Sequence, residues 1–288
     1  MNFKISFIYI TLLIIAKCTN ASRSSKSMGQ LSPINIDTAQ VTPTSNLLKV
    51  SLDISNTLIS SAIVNNTGKE ISFPLPKNQE MFVPRFTYGD VTYTLAGRYL
   101  LINQNGSQKN RSGHTIDGKR YPIEGVNIYA NIDKYGSLKE AKKHPGSILV
   151  LSQPVDVTDI PNPTFNPFGK LLRTGKLKNP NSAASISTLF SFDWYDSLVK
   201  NRAYFIYTGS LYDPETKTQT PDVTQIVTQP PYSSISYEQF TDFKNVLDTE
   251  GNPLNTIAPL NPAKGREIKA ARGFSLEIRP LHLTVPLP

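Results

Sequence analysis

Short apolar segments separated by turn residues dominate this chain, and they limit its fold more than any other sequence feature. Leu47–Ile54, Met81–Phe86 and Val91–Leu95 are examples, and similar segments follow as far as Ser147–Leu151. The chain contains 22 prolines and 16 glycines, which punctuate strands and interrupt long helices. The pattern predicts a mainly β, sheet-dominated single domain.

Helical signals are few. Ser137–Lys143 predicts one or two turns that stop before Pro145, and Ser236–Phe243 predicts a short helix with Ser236 as its N-cap. The Pro- and Asn-rich segment Thr158–Asn181 carries several basic residues, and it predicts a long basic excursion over the surface. The expected class is therefore β-rich α+β.

The first 21 residues have the pattern of a secretory signal peptide. A positive start at Lys4 precedes the apolar run Ile5–Ala16, and cleavage is expected after Ala21. An uncleaved membrane anchor is the alternative, although the apolar run is short for a span. A lipid anchor on Cys18 is less favoured because Lys17 precedes that cysteine. The sequence thus predicts a secreted protein.

No clear linker divides the rest of the chain. Residues 22–29 predict a flexible leader, residues 30–272 a single domain, and residues 273–288 an apolar C-terminal tail. Apolar residues make up 39% and charged residues 18% of the sequence, which excludes a disordered chain.

Cysteine content and charge limit the possible chemistry. Cys18 is the only cysteine, so the mature chain would have no disulfide, thiol nucleophile or cysteine metal site. Removal of Lys4 and Lys17 with the signal peptide lowers the net charge from +8 to +6. A basic exported protein can meet an anionic glycan, and the absence of any recognisable module argues against nucleic acid as a partner.

Sequons for N-glycosylation occur at Asn65, Asn105 and Asn110. A further sequon at Asn20 would be lost with the signal peptide or lie too close to it. The three remaining asparagines are therefore the candidate glycosylation sites of an exported chain.

Four sequence blocks occur in the order found in one family. They are QLSPINID at 30–37, GS at 106–107 with SGHTIDGKRYPIE at 112–124, YFIYTGSL at 204–211, and PLNP at 259–262 with REI at 266–268. Together they resemble the alpha-class (eukaryotic-type) carbonic anhydrases. The resemblance implies a large twisted, mostly antiparallel sheet with a few short helices.

The resemblance also implies a catalytic zinc ion on three histidines, and this sequence lacks all three. Two ligands belong to an H-x-H pair on one strand, where i and i+2 spacing places both on one face. Anchored on Gly106 and Ser107, the pair falls on Ile102 and Gln104, and the third ligand falls on Val126. Zinc is therefore expected to be lost, and no cofactor is predicted.

The residues that assist the zinc in this family are replaced as well. The threonine that orients zinc-bound hydroxide falls on Tyr212, its glutamate partner on Gly113, and the proton-shuttle histidine at about Lys69. Glu124, which would hold the third ligand, remains. No catalytic residue is predicted.

The other histidines do not rebuild the site. His114 corresponds to a structural histidine of the family and is expected to be a buried hydrogen-bonding residue. His144 precedes a Pro-Gly turn and His282 lies in the tail, so the three are not expected to converge on one metal.

The sequence therefore predicts a secreted, catalytically inactive carbonic anhydrase-related protein, a basic pseudoenzyme that acts as a binding module. Its partner would be an anionic glycan or a protein, bound through the basic loop of Lys109, Arg111, Lys119 and Arg120. A zinc-dependent enzyme that hydrates carbon dioxide and a structural secreted protein are the alternatives. The sequence predicts no stable membrane span in the mature form and leaves the oligomeric state open.

Overall fold

The structure is a computed structural model with nineteen strands and four α-helices in its described part. It describes residues 31–53, 58–59, 62–75, 85–103, 113–186, 190–191, 203–213, 218–230, 232–256, 260–263, 265–273 and 275–279. The predicted signal peptide and leader (1–29) and the end of the tail (280–288) lie outside these residues.

The strands are short at the start of the chain and long in its middle. Numbered β1 to β19, they are Asn35–Ile36, Thr42–Pro43, Lys49–Asp53, Leu58–Ile59, Ala62–Asn66, Ile71–Ser72, Arg85–Tyr88, Val91–Ile102, Thr115–Ile116, Lys119–Arg120, Ile123–Ala130, Ile148–Thr158, Ser182–Ile186, Phe190–Ser191, Ala203–Asp213, Thr218–Thr228, Ser233–Ser236, Lys269–Arg272 and Ser275–Arg279.

One 14-stranded sheet organises the domain, and its main path is β13-β5-β6-β8-β11-β12-β16-β15-β18-β2. Most neighbours are antiparallel, whereas β12 pairs in parallel with β16 and β17. Strands β3, β7 and β19 extend the sheet beside β8. The predicted β-rich domain on a large, mostly antiparallel sheet is confirmed.

The long strands β8 and β11 form the centre of this sheet. They pair antiparallel from Ile123 opposite Ile102 to Ala130 opposite Thr94, with a register shift after Ile128. Two apolar segments of the sequence, Val91–Leu95 and Tyr99–Ile102, belong to this one strand β8, because Gly97 continues the ladder without a turn.

Four short α-helices accompany the sheet. Numbered α1 to α4, they are Ile132–Tyr135, Leu138–Ala141, Asn166–Arg173 and Tyr237–Thr241. Three-residue or four-residue 3₁₀ helices occur at Thr38–Gln40, Pro163–Phe165 and Asp242–Asn245. Both predicted helices are present: Ser137 caps α2, and Ser236 caps α4 with a reciprocal bond from Gln239.

The predicted surface excursion over Thr158–Asn181 is wrong for much of its length, because helix α3 packs into the core. Phe168, Leu171 and Leu172 are buried, and their i, i+3, i+4 spacing places them on one face of α3. The exposed Lys170 and Arg173 form the opposite face. The basic side chains that suggested an excursion are thus the solvent side of an amphipathic helix.

The central sheet has a packed face and a face that carries a cleft. Leu100, Ile102 and Ile123 belong to a large apolar cluster that includes Phe168 of α3. Leu101, Val126, Ile128 and Val150 have the opposite strand parity and form a separate apolar cluster. The second cluster is only partly covered by α1 and α2, and this leaves the cleft.

Strand β19 pairs in parallel with β3, so sheet pairing continues past Arg272 into the predicted tail.

Within the described residues, the helices are all too short or too polar to cross a lipid bilayer.

Candidate functional site

A cleft of about 670 Å³ opens on the face of the sheet that carries the second apolar cluster. Its size is within the range typical of small-molecule sites. Its floor consists of side chains from β8, β11, β12 and β15, namely Tyr99, Leu101, Val126, Ile128, Val150 and Leu211. These six side chains, called the floor below, are apolar apart from one phenol hydroxyl, and polar side chains of the same strands, such as Glu124 and Ser152, line the cleft beside them.

Strand register determines which residues form this floor. Tyr99 and Leu101 are two residues apart on β8, so both point to the cleft. Val126 lies directly opposite Tyr99, and Glu124 lies opposite Leu101. The i and i+2 positions beside Val126 on the cleft side are thus Tyr99 and Leu101.

The sequence-predicted ligand positions are distributed differently. Val126, the predicted third position, lines the cleft. Ile102 does not line it: this side chain is completely buried on the opposite face of the sheet, in contact with the cluster around α3. Gln104 lies outside the described residues. Because Ile102 and Leu101 have opposite parity, a placement anchored on the Gly106-Ser107 pair reaches the wrong face of β8 for its first member.

Beside the floor, Glu124 and His114 form a buried pair. The His114 backbone N–H donates to Glu124 Oε2 at 2.6 Å, and His114 Nδ1 lies 2.9 Å from Glu124 Oε1. Both side chains are 3% exposed. His114 is thus the buried hydrogen-bonding residue that the sequence predicted.

The Glu124 carboxylate is held in its charged form. Burial opposes ionisation, but the facing His114 and the hydrogen bonds from His114 and Ser152 outweigh it and lower the pKa of Glu124. A charged carboxylate only accepts hydrogen bonds, so His114 Nδ1 carries the hydrogen and donates this hydrogen bond to Glu124 Oε1. The hydrogen bonds that hold this carboxylate are thus donated by His114 and Ser152, which are residues of the same chain.

From His114 the network continues to the start of the domain. The Tyr207 hydroxyl lies 2.6 Å from His114 Nε2 and 3.0 Å from Ser32 Oγ. Ser32 and Ser210 exchange two further bonds, each backbone N–H donating to the other hydroxyl. Burial raises the pKa of Tyr207, which keeps its phenol neutral. The network therefore fixes Ser32 at the edge of the cleft.

Gly113 packs directly against the Glu124 side chain of this network. It has φ +80°, and a Cβ at this position would lie 2.5 Å from Glu124 Oε2. The position that the resemblance assigns to a glutamate therefore has neither a side chain nor space for one in this arrangement.

The two other replaced positions differ in what the structure describes. Lys69 is exposed, lines the cleft and lies in the turn before β6. Tyr212 lies in β15, and only its backbone is described.

The predicted basic surface is only partly described. Lys119 Nζ contacts Asp156 Oδ2 at 2.7 Å, so its charge is neutralised locally. Arg120 is half-buried on the neighbouring strand position, whereas Lys109 and Arg111 lie outside the described residues.

Of the candidate glycosylation sites, Asn65 alone lies within the described residues. It is half-buried in β5, between strands β13 and β6, and its Oδ1 atom is enclosed. Asn105 and Asn110 lie outside the described residues.

Three cleft residues had no motif to reveal them in the sequence. Glu70 precedes β6 and, by the register of β6 with β8, lies beside Leu101. Burial raises the pKa of Tyr99, and the negative charges of Glu70 and Glu124 raise it further. Asn255 lines the same wall, and its buried Oδ1 has no hydrogen-bond partner within the described structure. Only strand pairing brings these residues together.

The described part of the chain contains His, Asp and Glu side chains, each of which can bind a metal ion. That part of the chain holds no group of three or more His, Cys, Asp or Glu side chains arranged to bind a metal ion. The cleft floor offers a phenol oxygen at Tyr99 but no nitrogen or sulfur donor, and zinc in proteins is bound chiefly by such donors.

The fold and the site define a β-sheet protein with a concave cleft over the central strands of its sheet. Residues 18–272 match the family model described as eukaryotic-type carbonic anhydrase, and the chain belongs to that family. It is 26% identical over 246 residues to carbonic anhydrase 1 of Monodelphis domestica, covering 83% of this chain and 88% of that protein. It is 28% identical over 249 residues to human carbonic anhydrase 7, with the same shares covered.

Proposed function

We propose that this protein is a secreted member of the carbonic anhydrase family that lacks the catalytic zinc site and acts as a non-enzymatic binding module. The observation that carries the proposal is the composition of the cleft floor. Tyr99, Leu101 and Val126 occupy the cleft-facing positions where an i, i+2 pair and a cross-strand partner could hold a metal. None is a histidine.

These side chains do not fit zinc. A catalytic zinc site needs three protein donors that leave one position open for water, and the bound water then loses a proton near neutral pH. Leu101 and Val126 have no donor atom, so of these three side chains only Tyr99 offers one, a single phenol oxygen. No hydration step is therefore assigned to these residues.

The residues around the floor agree with this proposal. Glu124 accepts bonds from His114 and Ser152, so it stabilises the protein without a metal ligand to orient. The side-chain hydrogen bonds of Tyr207 to His114 and Ser32 hold the edge of the cleft in place. A scaffold kept in this form is suited to binding.

Secretion is supported by the N-terminal segment alone. Its positive start, apolar run and small residue at Ala21 are the features that a signal peptidase recognises. The positive charge of an exported chain then favours an anionic glycan as partner. A protein partner is the alternative.

Metal content and activity test the loss of the zinc site. The mature protein, purified without chelators and then incubated with zinc, should contain less than about 0.1 zinc per chain and should not accelerate hydration of carbon dioxide. A zinc-loaded member of the family provides the positive control in both assays. Stoichiometric zinc together with hydration would identify the protein as an enzyme and overturn the proposal.

A further inference from the structure

Strand β13 forms an open edge of the large sheet. It comprises Ser182–Ile186, stands at one end of the main strand path, and pairs among the described strands only with β5. The pairing is antiparallel, from Ser182 opposite Asn66 to Ile186 opposite Ala62. In such a ladder half of the backbone N–H and C=O groups of an edge strand point away from its neighbour, and these groups can pair with another strand.

Hydrogen bonds of the neighbouring strand show how its backbone groups alternate. The Asn66 carbonyl of β5 accepts from the Asn181 N–H at 2.7 Å, so it points towards β13. Thr67, the next residue, donates its N–H to the Glu70 carbonyl at 3.0 Å, on the side of β6. The even-numbered residues of β5 thus direct their backbone groups to β13.

The strand register carries this alternation into β13. Ser182, Ala184 and Ile186 lie opposite even-numbered residues of β5, so their backbone groups face β5. The two remaining residues, Ala183 and Ser185, direct their N–H and C=O groups to the open edge. Both side chains are exposed, small and uncharged, so neither hinders the approach of a second strand.

Strand β13 lacks the features that usually protect a sheet edge, which are prolines, charged side chains and very short strands. At the other end of the path, β2 has two residues and ends in Pro43. Strand β19, which pairs with β3, includes Glu277 and Arg279. In contrast, β13 has five residues without a proline or a charge. It is therefore an unprotected edge.

We propose that β13 pairs antiparallel with β13 of a second copy of this chain, about a twofold axis at Ala184. This register places Ala183 opposite Ser185 of the partner subunit, and Ser185 opposite Ala183 of the partner subunit. The outward N–H and C=O groups of both residues are then paired. The occupant is a second copy because these groups are arranged symmetrically about Ala184, so the edge is complementary to itself.

The symmetry determines how the two copies are oriented. A twofold axis between antiparallel strands is perpendicular to the sheet, so each copy keeps the same face on the same side. The two clefts therefore open on one face of a continuous sheet. The exposed Lys178 precedes β13, and antiparallel pairing places the lysines of the two copies at opposite ends of the interface, where they stay apart.

This inference goes beyond the binding module proposed above and does not rest on it, because the open edge lies outside the cleft floor. A dimer that binds zinc and hydrates carbon dioxide would contradict the proposed function alone. A zinc-free monomer would contradict this inference alone.

The small size of the interface predicts a weak dimer. Two five-residue strands bury less than the roughly 1,200 Å² of a stable interface. Sedimentation velocity of the full mature chain at about 1 to 500 µM should give a dimer with a dissociation constant of about 10–100 µM. A chain that stays monomeric up to about 500 µM would overturn the proposal and leave the edge to a segment of another protein.

A cysteine at the twofold axis tests the register. The half-buried Ala184 would lie opposite its own copy, with the Cα separation of about 4.5 Å of a non-hydrogen-bonded pair. Oxidised Ala184→Cys should therefore form a covalent dimer, since the predicted mature chain has no other cysteine. In the control Ser182→Cys the two cysteines would lie about 14 Å apart, too far for a disulfide. Absence of cross-linking in folded Ala184→Cys, or equal cross-linking of both variants, would refute this register.

Two charge variants test the same pairing without a covalent bond. Ala183→Glu with Ser185→Glu places like charges opposite each other and should weaken the dimer at least about fivefold. Ala183→Lys with Ser185→Glu places opposite charges there, keeps the net charge, and should dimerise at least as well as the native chain. Both positions are exposed, so the melting temperatures should stay close to that of the native chain. Equal dissociation constants of the two variants would overturn the proposal.

Discussion

At the scale of single residues, the site depends on how Glu124 is used. The sequence predicted that His114 is buried and hydrogen-bonded, because the run from His114 to Gly118 resembles the family motif that contains a structural histidine. It did not predict that both carboxylate oxygens of Glu124 would bind His114, because the two residues are ten positions apart along the chain. Long-range pairing of this kind follows from the register of β11, which no local pattern specifies.

Gly113 offers a direct test of this close packing. We predict that Gly113→Ala lowers the free energy of unfolding by about 3 kcal/mol, combining the cost of a left-handed residue with the contact to Glu124. Urea denaturation followed by circular dichroism measures this change.

Gly118 is the matched control for that substitution. Its φ of +76° is almost the same, but a Cβ there meets nothing within 4 Å. Gly118→Ala should therefore cost only the conformational part, about 1 kcal/mol. Equal losses in the two variants would show that the Glu124 contact contributes nothing.

At the scale of elements, the sequence predicted the strands well and the placement of their faces less well. The apolar alternation of β8 and β11 is evident in the sequence, but the anchor at Gly106 follows the end of β8, in residues 104–112, which lie outside the described part of the chain. A family motif determines the order of elements, whereas the number of residues between the motif and the strand determines which residue faces the cleft. The position of Ile102 depends on a count back from Gly106, whereas that of Val126 depends on a count from Glu124 within β11.

Helix α3 shows a second limit at this scale. Helix α3 begins with Asn166 and Pro167, and proline is common in the first turn of a helix. Together with Pro161 and Pro163, however, these residues resemble a loop. The buried stripe of Phe168, Leu171 and Leu172 is too short for periodicity to outweigh those signals.

Restoring histidines tests the register of β8. We predict that Tyr99→His, Leu101→His and Val126→His together create a zinc site with a dissociation constant below about 1 µM. The reason is that the three positions share one face, with Val126 directly opposite Tyr99 and Glu124 directly opposite Leu101. Isothermal titration with zinc and a zinc-dependent rise in melting temperature measure the result.

A second triple variant is the control for this design. It keeps histidine at 99 and 126 but replaces Ile102 instead of Leu101. Because Ile102 is buried on the opposite face, this variant should bind zinc at least about 100-fold more weakly. Equal zinc affinity of the two triple variants would contradict the register described for the cleft.

At the scale of the whole molecule, net charge alone does not identify a glycan-binding face. The chain carries a formal charge of +8, but several exposed cations are paired locally. Arg85 pairs with Asp133, Lys119 with Asp156, Lys143 with Glu140 and Arg173 with Asp242. A polyanion must therefore be recognised by a local concentration of positive charge rather than by the total, and the predicted basic loop with Lys109 and Arg111 is the proposed location.

Two double variants with equal net charge test this location on a heparin column. Lys109→Ser with Arg111→Ser removes the loop charges, while Lys170→Ser with Lys176→Ser removes two exposed lysines at and after α3. If the loop binds the glycan, the native chain should elute above about 0.3 M NaCl, and the loop variant should elute at least about 0.1 M earlier than the α3 variant. A shift of the same size in both variants would reduce the interaction to net charge. Elution of the native chain at low salt would exclude the glycan and leave a protein as the partner, because surface charge without a specific polyanion site is screened within a Debye length.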